Sequence, residues 1–227
     1  MKHFTSRILM ISPDKFRNNE LTISDNSFQS RGLENISISD NAISEFERLK
    51  ESISKRGVDV HAISDDSEFD TPDAVFPNNW ISFHHPNRAV LYPMSALNRR
   101  FERKSSALKK LSDQGIKINI IKDYSHFEKD DKYLEGTGSI VLDRQNKFAY
   151  CSLSKRSDQD LLKIFCSEMN YKPVVFNSIY QSKPIYHTNV MMSICNNFSI
   201  ICLDSIEDKK QKNNLITNLK NSNLEII

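Results

Sequence analysis

The chain has 227 residues, of which 26% are charged, and 31 basic residues against 29 acidic ones leave a net charge of only +2. This near balance argues against a protein that binds nucleic acid or an anionic membrane surface. Apolar runs such as SIICL are far too short to cross a bilayer, and the length suffices for a substantial core in one domain or two small ones.

The N-terminus and the cysteines indicate a cytoplasmic protein. The opening stretch MKHFTSRILMIS has no extended apolar segment followed by a small-residue cleavage site, so we expect no signal peptide. The four cysteines have neither CxxC spacing nor a dense framework, which is typical of a reducing compartment. No zinc-binding spacing such as HExxH occurs, and we expect neither a metal nor another cofactor. The cysteines are Cys151, Cys166, Cys195 and Cys202.

Four segments in chain order have apolar residues at helical spacing. The first two are predicted at Asn41 to Arg56 and at Leu97 to Gln114. The third is predicted to begin at Ser157 as its N-cap, and the fourth follows Asp204-Ser205. Each is followed by a turn and a short β-branched run, in order VDVHAI, IKINII, PVVF and LEII. Further strand-like runs lie between these units: RAVLY, SIVLD, FAYCS and FSIICL.

The order strand, strand, helix, strand therefore recurs about every 50 to 60 residues, which predicts a propeller-like α/β repeat whose units pack against one another. A doubly wound α/β sheet is the alternative, but the paired strands between the helices fit it less well. No linker or low-complexity tract divides the chain, so we expect residues 1–227 to form a single domain.

Polar residues interrupt the apolar pattern at four predicted strand ends. The stretch TPDAVFPNNWISFHHP contains Asp73, Asn78 and Asn79, for which a simple turn is the alternative interpretation. In YLEGTGSIVLD, Glu135 is predicted at the end of a strand, and the following glycines are expected to form a tight turn rather than open a helix or a phosphate loop. They would leave the carboxylate projecting into a cleft.

The other two positions are Arg156 in YCSLSKRSDQD and His187 in PIYHTNVMMSI. A single arginine at such a place is more often solvated, and a single histidine is more often structural. However, a propeller gathers equivalent strand ends around one central channel. Two carboxylates, a histidine and an arginine in that channel would suit a cationic substrate that carries its own carboxylate.

The motifs TPDAVFPNNWISFH, LYPMSALNRRFER, YLEGTGSIVLDR, YCSLSKRS and PIYHTNVMMSI resemble the guanidino-group-modifying, or pentein, superfamily. The bacterial citrulline-utilisation hydrolases, described as amidinotransferase-like, are the most similar group, and dimethylarginine dimethylaminohydrolases and arginine deiminases are relatives. The resemblance implies five strand-strand-helix-strand blades around a pseudo-fivefold axis, of which about four are expected here.

The resemblance also implies a hydrolase in which a cysteine attacks the central carbon of a guanidino or ureido group. Glu135 and His187 would be the catalytic pair, with the histidine protonating the leaving nitrogen and then activating water. Asp73 would bind the guanidino or ureido end of an arginine- or citrulline-like amino acid. Asn78 and Asn79 match positions that are acidic in the dimethylarginine enzymes, and amides there would suit a neutral ureido group. Arg100 and Arg156 match arginines that hold the α-carboxylate.

The family's nucleophile lies in a Gly-rich segment resembling GGGSxRCM in the fifth blade, and no such segment occurs in this chain. None of the four cysteines is expected to replace it, because a thiolate must be activated and within reach of the base. Activity of this chain alone is therefore in doubt.

Three functions remain open at this stage. The chain is a guanidine- or ureido-modifying hydrolase that lacks its C-terminal blade, an inactive module that binds an arginine-like ligand or a protein partner, or a remnant that folds poorly. The pentein superfamily includes a non-enzymatic ribosome anti-association factor, so the fold alone does not decide between the first two. A homo-oligomer that covers the open end of the propeller is also possible.

Overall fold

The computed structural model describes residues 5–23, 25–26, 28–29, 37–104 and 106–227. Residues 1–4, at the start of the N-terminal stretch for which we expect no signal peptide, lie outside the described residues. Position 105, within the second predicted helix, also lies outside them. The strands are β1 (Arg7–Ile11), β2 (Asp59–Ile63), β3 (Ile81–His84), β4 (Arg88–Leu91), β5 (Asn119–Asp123), β6 (Val141–Asp143), β7 (Phe148–Ser152), β8 (Lys172–Phe176), β9 (Ile179–Tyr180), β10 (Lys183–Pro184), β11 (Met192–Ile194), β12 (Phe198–Ile201) and β13 (Glu225–Ile226). The α-helices are α1 (Ser37–Ser54), α2 (Leu97–Arg100), α3 (Ala107–Asp113), α4 (Gly136–Ser139), α5 (Gln159–Met169) and α6 (Lys209–Asn221).

The strands form separate small sheets rather than one continuous sheet, so the doubly wound alternative is wrong. Three sheets have the same construction, β3-β4-β5, β6-β7-β8 and β11-β12-β13. In each, the first strand is antiparallel to the second, a helix follows, and the third strand lies parallel to the second. This is the repeat that the sequence predicts, because a parallel pair needs a crossover connection and an antiparallel pair needs only a short turn.

The N-terminal unit differs from the other three. It consists of β1, α1 and β2, with the two strands parallel and in register from Arg7 opposite Asp59 to Ile11 opposite Ile63. Among the described residues, no strand pairs antiparallel with β1 in the way that β3 pairs with β4. The short hairpin of β9 and β10 lies between the third and fourth units.

Two helices differ from their predicted forms. The predicted helix from Leu97 to Gln114 is divided into α2, a 3₁₀ segment at Phe101–Lys104 and α3. Serine is a poor residue for a helix interior, and the hydroxyl of Ser106 is bound to Asp66 across the fold. Helix α5 has Asp158 rather than Ser157 as its N-cap, since the Asp158 carboxylate accepts a hydrogen bond of 2.8 Å from the backbone N–H of Leu161.

The core is divided between successive units. Helix α5 buries Leu161, Leu162 and Phe165 against β4 and β7, and helix α6 buries Leu215 and Leu219 against β8. Full burial of each such side chain contributes about 1.5 to 3 kcal/mol to folding. Each unit thus packs its helix against a neighbour, which fixes the relative positions of the strand ends. In the described part of the chain, no helix combines the length and the apolar character needed to span a membrane.

Candidate active site

A buried carboxylate–imidazole pair forms the floor of the site. Glu135 is fully buried and His187 is 4% exposed, and Glu135 Oε2 lies 2.8 Å from His187 Nε2. The second carboxylate oxygen, Oε1, accepts a hydrogen bond of 2.8 Å from the backbone N–H of Ser95. Both oxygens are therefore held, and the imidazole ring is oriented by the carboxylate beneath it.

Glu135 does not end a strand, contrary to the expectation from the sequence, because it is the N-cap residue of the one-turn helix α4. The two glycines of that turn allow its backbone to lie very close to the backbone of Asn78 and to the ring of His187. Gly136 has φ +46°, and a Cβ there would collide with the backbone carbonyl of Asn78. A Cβ on Gly138 would lie 2.8 Å from Nδ1 of His187. The expectation that these glycines open no helix is also wrong, because Gly136–Ser139 form a helical turn. Only glycine can form this turn so close to its neighbours.

The repeat explains why the polar residues meet. The segments that precede β3, β6 and β11 occupy equivalent places in their units, namely the 3₁₀ turn Pro77–Asn79, the turn α4 and the 3₁₀ turn Thr188–Val190. The Thr188 hydroxyl joins two of these units, because it donates to the carbonyl of Ser139 at 2.6 Å and accepts from the N–H of Ser152 at 2.8 Å. Residues about 50 positions apart in sequence are thereby brought to one point.

A cavity of about 260 Å³ lies above this floor. The structure brings five of the seven expected site residues to its wall, while Glu135 lies beneath His187. Thr22, Asn26, Arg99 and Tyr186 also line the cavity, and sequence reasoning missed them. The five expected residues at the wall are Asp73, Asn78, Asn79, Arg156 and His187.

Arg100 is the expected site residue that the structure does not bring to the cavity. Its Nε donates to the carbonyl of Met94 at 2.9 Å and its Nη2 donates to the hydroxyl of Tyr133 at 3.2 Å. Arg99, one residue earlier, points into the site instead, because successive residues of a helix differ by about 100° around its axis. The pair of adjacent arginines was visible in the sequence, but the direction of each was not.

Arg99 organises one wall of the cavity. Its Nε and Nη2 contact the two oxygens of Glu102 at 2.8 and 3.1 Å, and its Nη1 donates to Oδ1 of Asn79 at 2.9 Å. The same guanidinium lies 3.7 Å from Oδ2 of Asp73. Asp73 also accepts a hydrogen bond of 2.7 Å from the side-chain amide of Asn19. The carboxylate of Asp73 thus faces the cavity with its charge balanced by a neighbouring cation.

Arg156 is 3% exposed and holds a carboxylate of the protein itself. Its Nε and Nη2 donate to the two oxygens of Asp25, with Nε at 3.1 Å from Oδ2. The ring of Tyr186 lies beneath the guanidinium, at 4.7 Å from its central carbon to the ring centroid. The Nη1 atom faces Glu135, 3.7 Å from Oε2. The bidentate edge of this arginine is therefore already occupied.

The charges around the floor set the protonation of the pair. Burial alone would raise the pKa of Glu135, but the hydrogen bond with His187 and the charges of Arg156 and Arg99 lower it to about 2. Burial lowers the pKa of His187, and the two arginines lower it further, which outweighs the opposing effect of Glu135. The pair is thus a charged carboxylate and a neutral imidazole near neutral pH.

None of the four cysteines lines the cavity. Burial raises the pKa of Cys151 and of Cys166 to about 12, so neither forms a thiolate near neutral pH. Cys195 is partly buried and Cys202 is exposed, each outside the lining of the cavity. In the described ranges, no three histidine, cysteine, aspartate or glutamate side chains are grouped so that they could hold a metal ion.

Comparisons with known proteins identify the architecture. Among solved structures, the chain is similar to apo ArgZ, an arginine dihydrolase from the ornithine–ammonia cycle in cyanobacteria, with 17% identity and a TM-score of 0.72 over 97% of this chain and 31% of ArgZ. The N-terminal domain of ArgZ, in a substrate-bound mutant, matches with 17% identity and a TM-score of 0.72 over 97% of this chain and 75% of the domain.

A third similar structure is the dimethylarginine dimethylaminohydrolase of Pseudomonas aeruginosa, in a mutant complexed with citrulline. It has 13% identity and a TM-score of 0.62 over 97% of this chain and 74% of that chain. These similarities confirm the pentein-type α/β propeller. The chain spans about a third of full-length ArgZ, 31%.

No curated protein matches the chain. The family described as N,N dimethylarginine dimethylhydrolase, eukaryotic, matches residues 12–227. Because this match covers nearly the whole chain, the protein belongs to the N,N dimethylarginine dimethylhydrolase family of the pentein superfamily.

Proposed function

We propose that the chain binds an amino acid of the arginine–citrulline type and presents its guanidino or ureido group to Glu135 and His187 for hydrolysis of a C–N bond. The observation that carries this proposal is the buried pair at 2.8 Å, beneath a cavity with a carboxylate and an arginine in its walls. Family membership supports the reaction class. ArgZ is an arginine dihydrolase and the Pseudomonas aeruginosa enzyme was crystallised with citrulline, which supports the ligand class.

The cavity walls suggest how the ligand is oriented. Arg156 takes the α-carboxylate of the amino acid in bidentate fashion, and the ligand carboxylate displaces Asp25 from the Nε–Nη2 edge of the guanidinium. Asp73, with Asn78 and Asn79, takes the opposite end. The side-chain amides of Asn78 and Asn79 add no negative charge to this end of the cavity, and the nearby carboxylate of Asp73 is already 3.7 Å from the guanidinium of Arg99. We therefore expect a neutral ureido group to be preferred to a guanidinium.

His187 serves as the acid–base group in this proposal. In its neutral form it accepts the proton of the nucleophile that bonds to the central carbon, and the imidazolium that results is stabilised by the charged carboxylate of Glu135. The imidazolium then gives this proton to the leaving nitrogen as the C–N bond breaks. The neutral imidazole next takes a proton from the water that attacks the same carbon and returns it to the departing nucleophile. The lowered pKa of Glu135 keeps the carboxylate ionised throughout this cycle.

The covalent step requires a thiol that these 227 residues do not bring to the cavity. This observation favours a second candidate function, in which the chain binds the amino acid without cleaving it. The two candidates share one binding site and differ in turnover.

The four free cysteines support the cytoplasmic location expected from their spacing.

Binding is tested by calorimetry with citrulline, arginine and dimethylarginine. We expect saturable binding, tightest for citrulline, and at least a tenfold loss of affinity in Arg156→Gln, since a charge-assisted bidentate contact is removed. The matched control is Arg17→Gln, because Arg17 forms a similar bidentate pair with Asp70 on the surface. Absence of binding for all three amino acids would contradict both candidate functions.

Turnover is tested by the release of ammonia or dimethylamine from the same compounds. We expect the wild-type chain alone to release neither. Release by this chain would show that a nucleophile other than a cavity thiol operates, and it would exclude the second candidate.

The protonation of the pair is tested by ¹⁵N NMR, in which His187 should remain neutral, with its proton on Nε2, at pH 7.

A further inference from the structure

A second cleft lies at the opposite end of the sheets from the candidate active site. Strand β3 begins beside the cavity residues Asn78 and Asn79 and runs away from them for four residues, about 13 Å at the usual rise of a strand. The hairpin turn after β3 and the turn after β6 are therefore both remote from the cavity. The cleft between them, which we call the hairpin cleft, has a volume of about 320 Å³ and is lined by His84, Arg88, Lys122, Arg144, Lys147, Glu168 and neighbouring residues.

The charge of the hairpin cleft is strongly unbalanced. Four cationic side chains line it, whereas Glu168 is the single acidic residue in its lining within the described chain. Glu168 is paired with Lys122, with Oε1 at 3.0 Å from Nζ. This imbalance is unusual for a chain whose overall net charge is only +2. Positive charge is thus concentrated in one concave place.

Each of the other three cations has a contact with a neutral group. Arg88 donates to the backbone carbonyl of His85 through Nε at 3.2 Å and Nη2 at 2.6 Å. The ammonium of Lys147 lies 4.9 Å from the centroid of the Tyr171 ring. Arg144 Nη1 lies 3.4 Å from Nδ1 of His84. Each of these cations retains donors for a ligand, since a guanidinium has five N–H groups and an ammonium has three.

The base of the hairpin cleft is fixed by a buried hydrogen-bonded chain. Nε2 of His84 lies 2.8 Å from the hydroxyl of Ser82, which lies 2.7 Å from the hydroxyl of Tyr92. His84 is 9% exposed, and Tyr92 is fully buried. The side chains that point outward from this base are therefore mounted on a rigid support. A rigid concave surface with convergent donors is the usual form of a ligand site.

We propose that the hairpin cleft binds the phosphate group of a small polyanionic ligand, held by Arg88, Arg144 and Lys147. A phosphate group offers several acceptor oxygens and about two negative charges, which match two guanidinium forks and an ammonium group. The site is separate from the amino-acid cavity, and nothing in the proposed hydrolysis uses it.

The proposal is tested by calorimetry with pyrophosphate, inorganic phosphate and citrate at constant ionic strength. We expect saturable binding of pyrophosphate, weaker binding of inorganic phosphate, and at least a tenfold loss of pyrophosphate affinity in Arg144→Gln and in Lys147→Gln. The matched control is Lys220→Gln, which removes an exposed lysine from the end of α6. The ring signals of His84 should move on addition of pyrophosphate to the wild-type chain.

The outcomes are distinct from those of the amino-acid binding test. No saturable binding of pyrophosphate, or an equal loss of affinity in Lys220→Gln, would overturn the site. Binding of citrate as tight as that of pyrophosphate would overturn the assignment to phosphate. Loss of pyrophosphate binding with retention of citrulline binding in Arg144→Gln would support two independent sites.

Discussion

The contact between Asp25 and Arg156 yields a quantitative prediction for ligand affinity. Asp25 occupies the Nε–Nη2 edge of the guanidinium, and Nη1 faces Glu135, 3.7 Å away. A ligand carboxylate that uses the same edge must therefore displace Asp25. In the variant Asp25→Asn, the amide retains one acceptor oxygen but loses the charge. Hydrogen bonds to charged groups contribute about 1.5 to 3 kcal/mol, and the partial exposure of Asp25, 24%, points to the lower end.

A loss of about 1.5 kcal/mol from the competing contact corresponds to about tenfold tighter binding of the ligand. Calorimetry with citrulline on the wild-type chain and on Asp25→Asn measures this difference. Asp70→Asn is the matched control, because Asp70 is held by Arg17 through a similar bidentate contact on the surface. Equal or weaker binding in Asp25→Asn would refute the competition and would show that Asp25 contributes to ligand binding.

Three further predictions concern the floor of the site, the effect of pH and the thiols. Gly138→Ala should displace both the side-chain amide of Asn79 and the ring of His187, because the added Cβ would overlap Nδ2 of Asn79 and would lie 2.8 Å from Nδ1 of His187. Citrulline affinity should fall by about tenfold in calorimetry, whereas unchanged affinity would mean that both side chains can move freely. Burial and adjacent cations lower the pKa of His84 to about 4 in the folded chain. Because His84 takes up a proton more readily in the unfolded chain, lowering the pH from 6.5 to 4 favours unfolding. The contribution of His84 to the unfolding free energy should fall by about 3 kcal/mol over this range. Urea titrations should show a smaller pH slope in His84→Gln, and an identical slope would contradict the assignment. Iodoacetamide at pH 8 should modify the exposed Cys202 rapidly and Cys151 only on unfolding, as peptide mass spectrometry would show; rapid modification of both in the native chain would refute the burial argument.

The sequence was sufficient to predict the repeat and the place where its polar residues meet. Apolar spacing identified the main helices, and the resemblance supplied the pairing of Glu135 with His187, which lie 52 positions apart. The meeting of the three turns that precede β3, β6 and β11 follows from the repetition of one unit. This part of the prediction depended on local pattern and regular topology, which a sequence expresses directly.

Other features depend on directions and loop positions that a local pattern does not contain. The sequence shows two adjacent arginines, but the helical turn decides that Arg99 rather than Arg100 faces the cavity. Asp25 reaches Arg156 across 131 positions, from a loop with no periodic signal. The helical turn at Gly136 requires a positive φ next to the carbonyl of Asn78, and this becomes apparent only when the two units are packed.

Within the described ranges of the chain, one side of β1 has no strand partner, and this bears on how the site could receive a nucleophile. In two of the other three units, the residues just before the first strand line the cavity, and in the unit of β6 Glu135 lies beneath it, against His187. In all three units the first strand runs antiparallel to the second. By the same geometry, an extended segment that paired antiparallel with β1 would begin beside Ile11 and would deliver its preceding residues to the same cavity. A strand edge with free N–H and C=O groups accepts such a segment readily. We therefore expect a segment that carries a thiol and pairs with this edge of β1 to bring the thiol close to the Glu135–His187 pair.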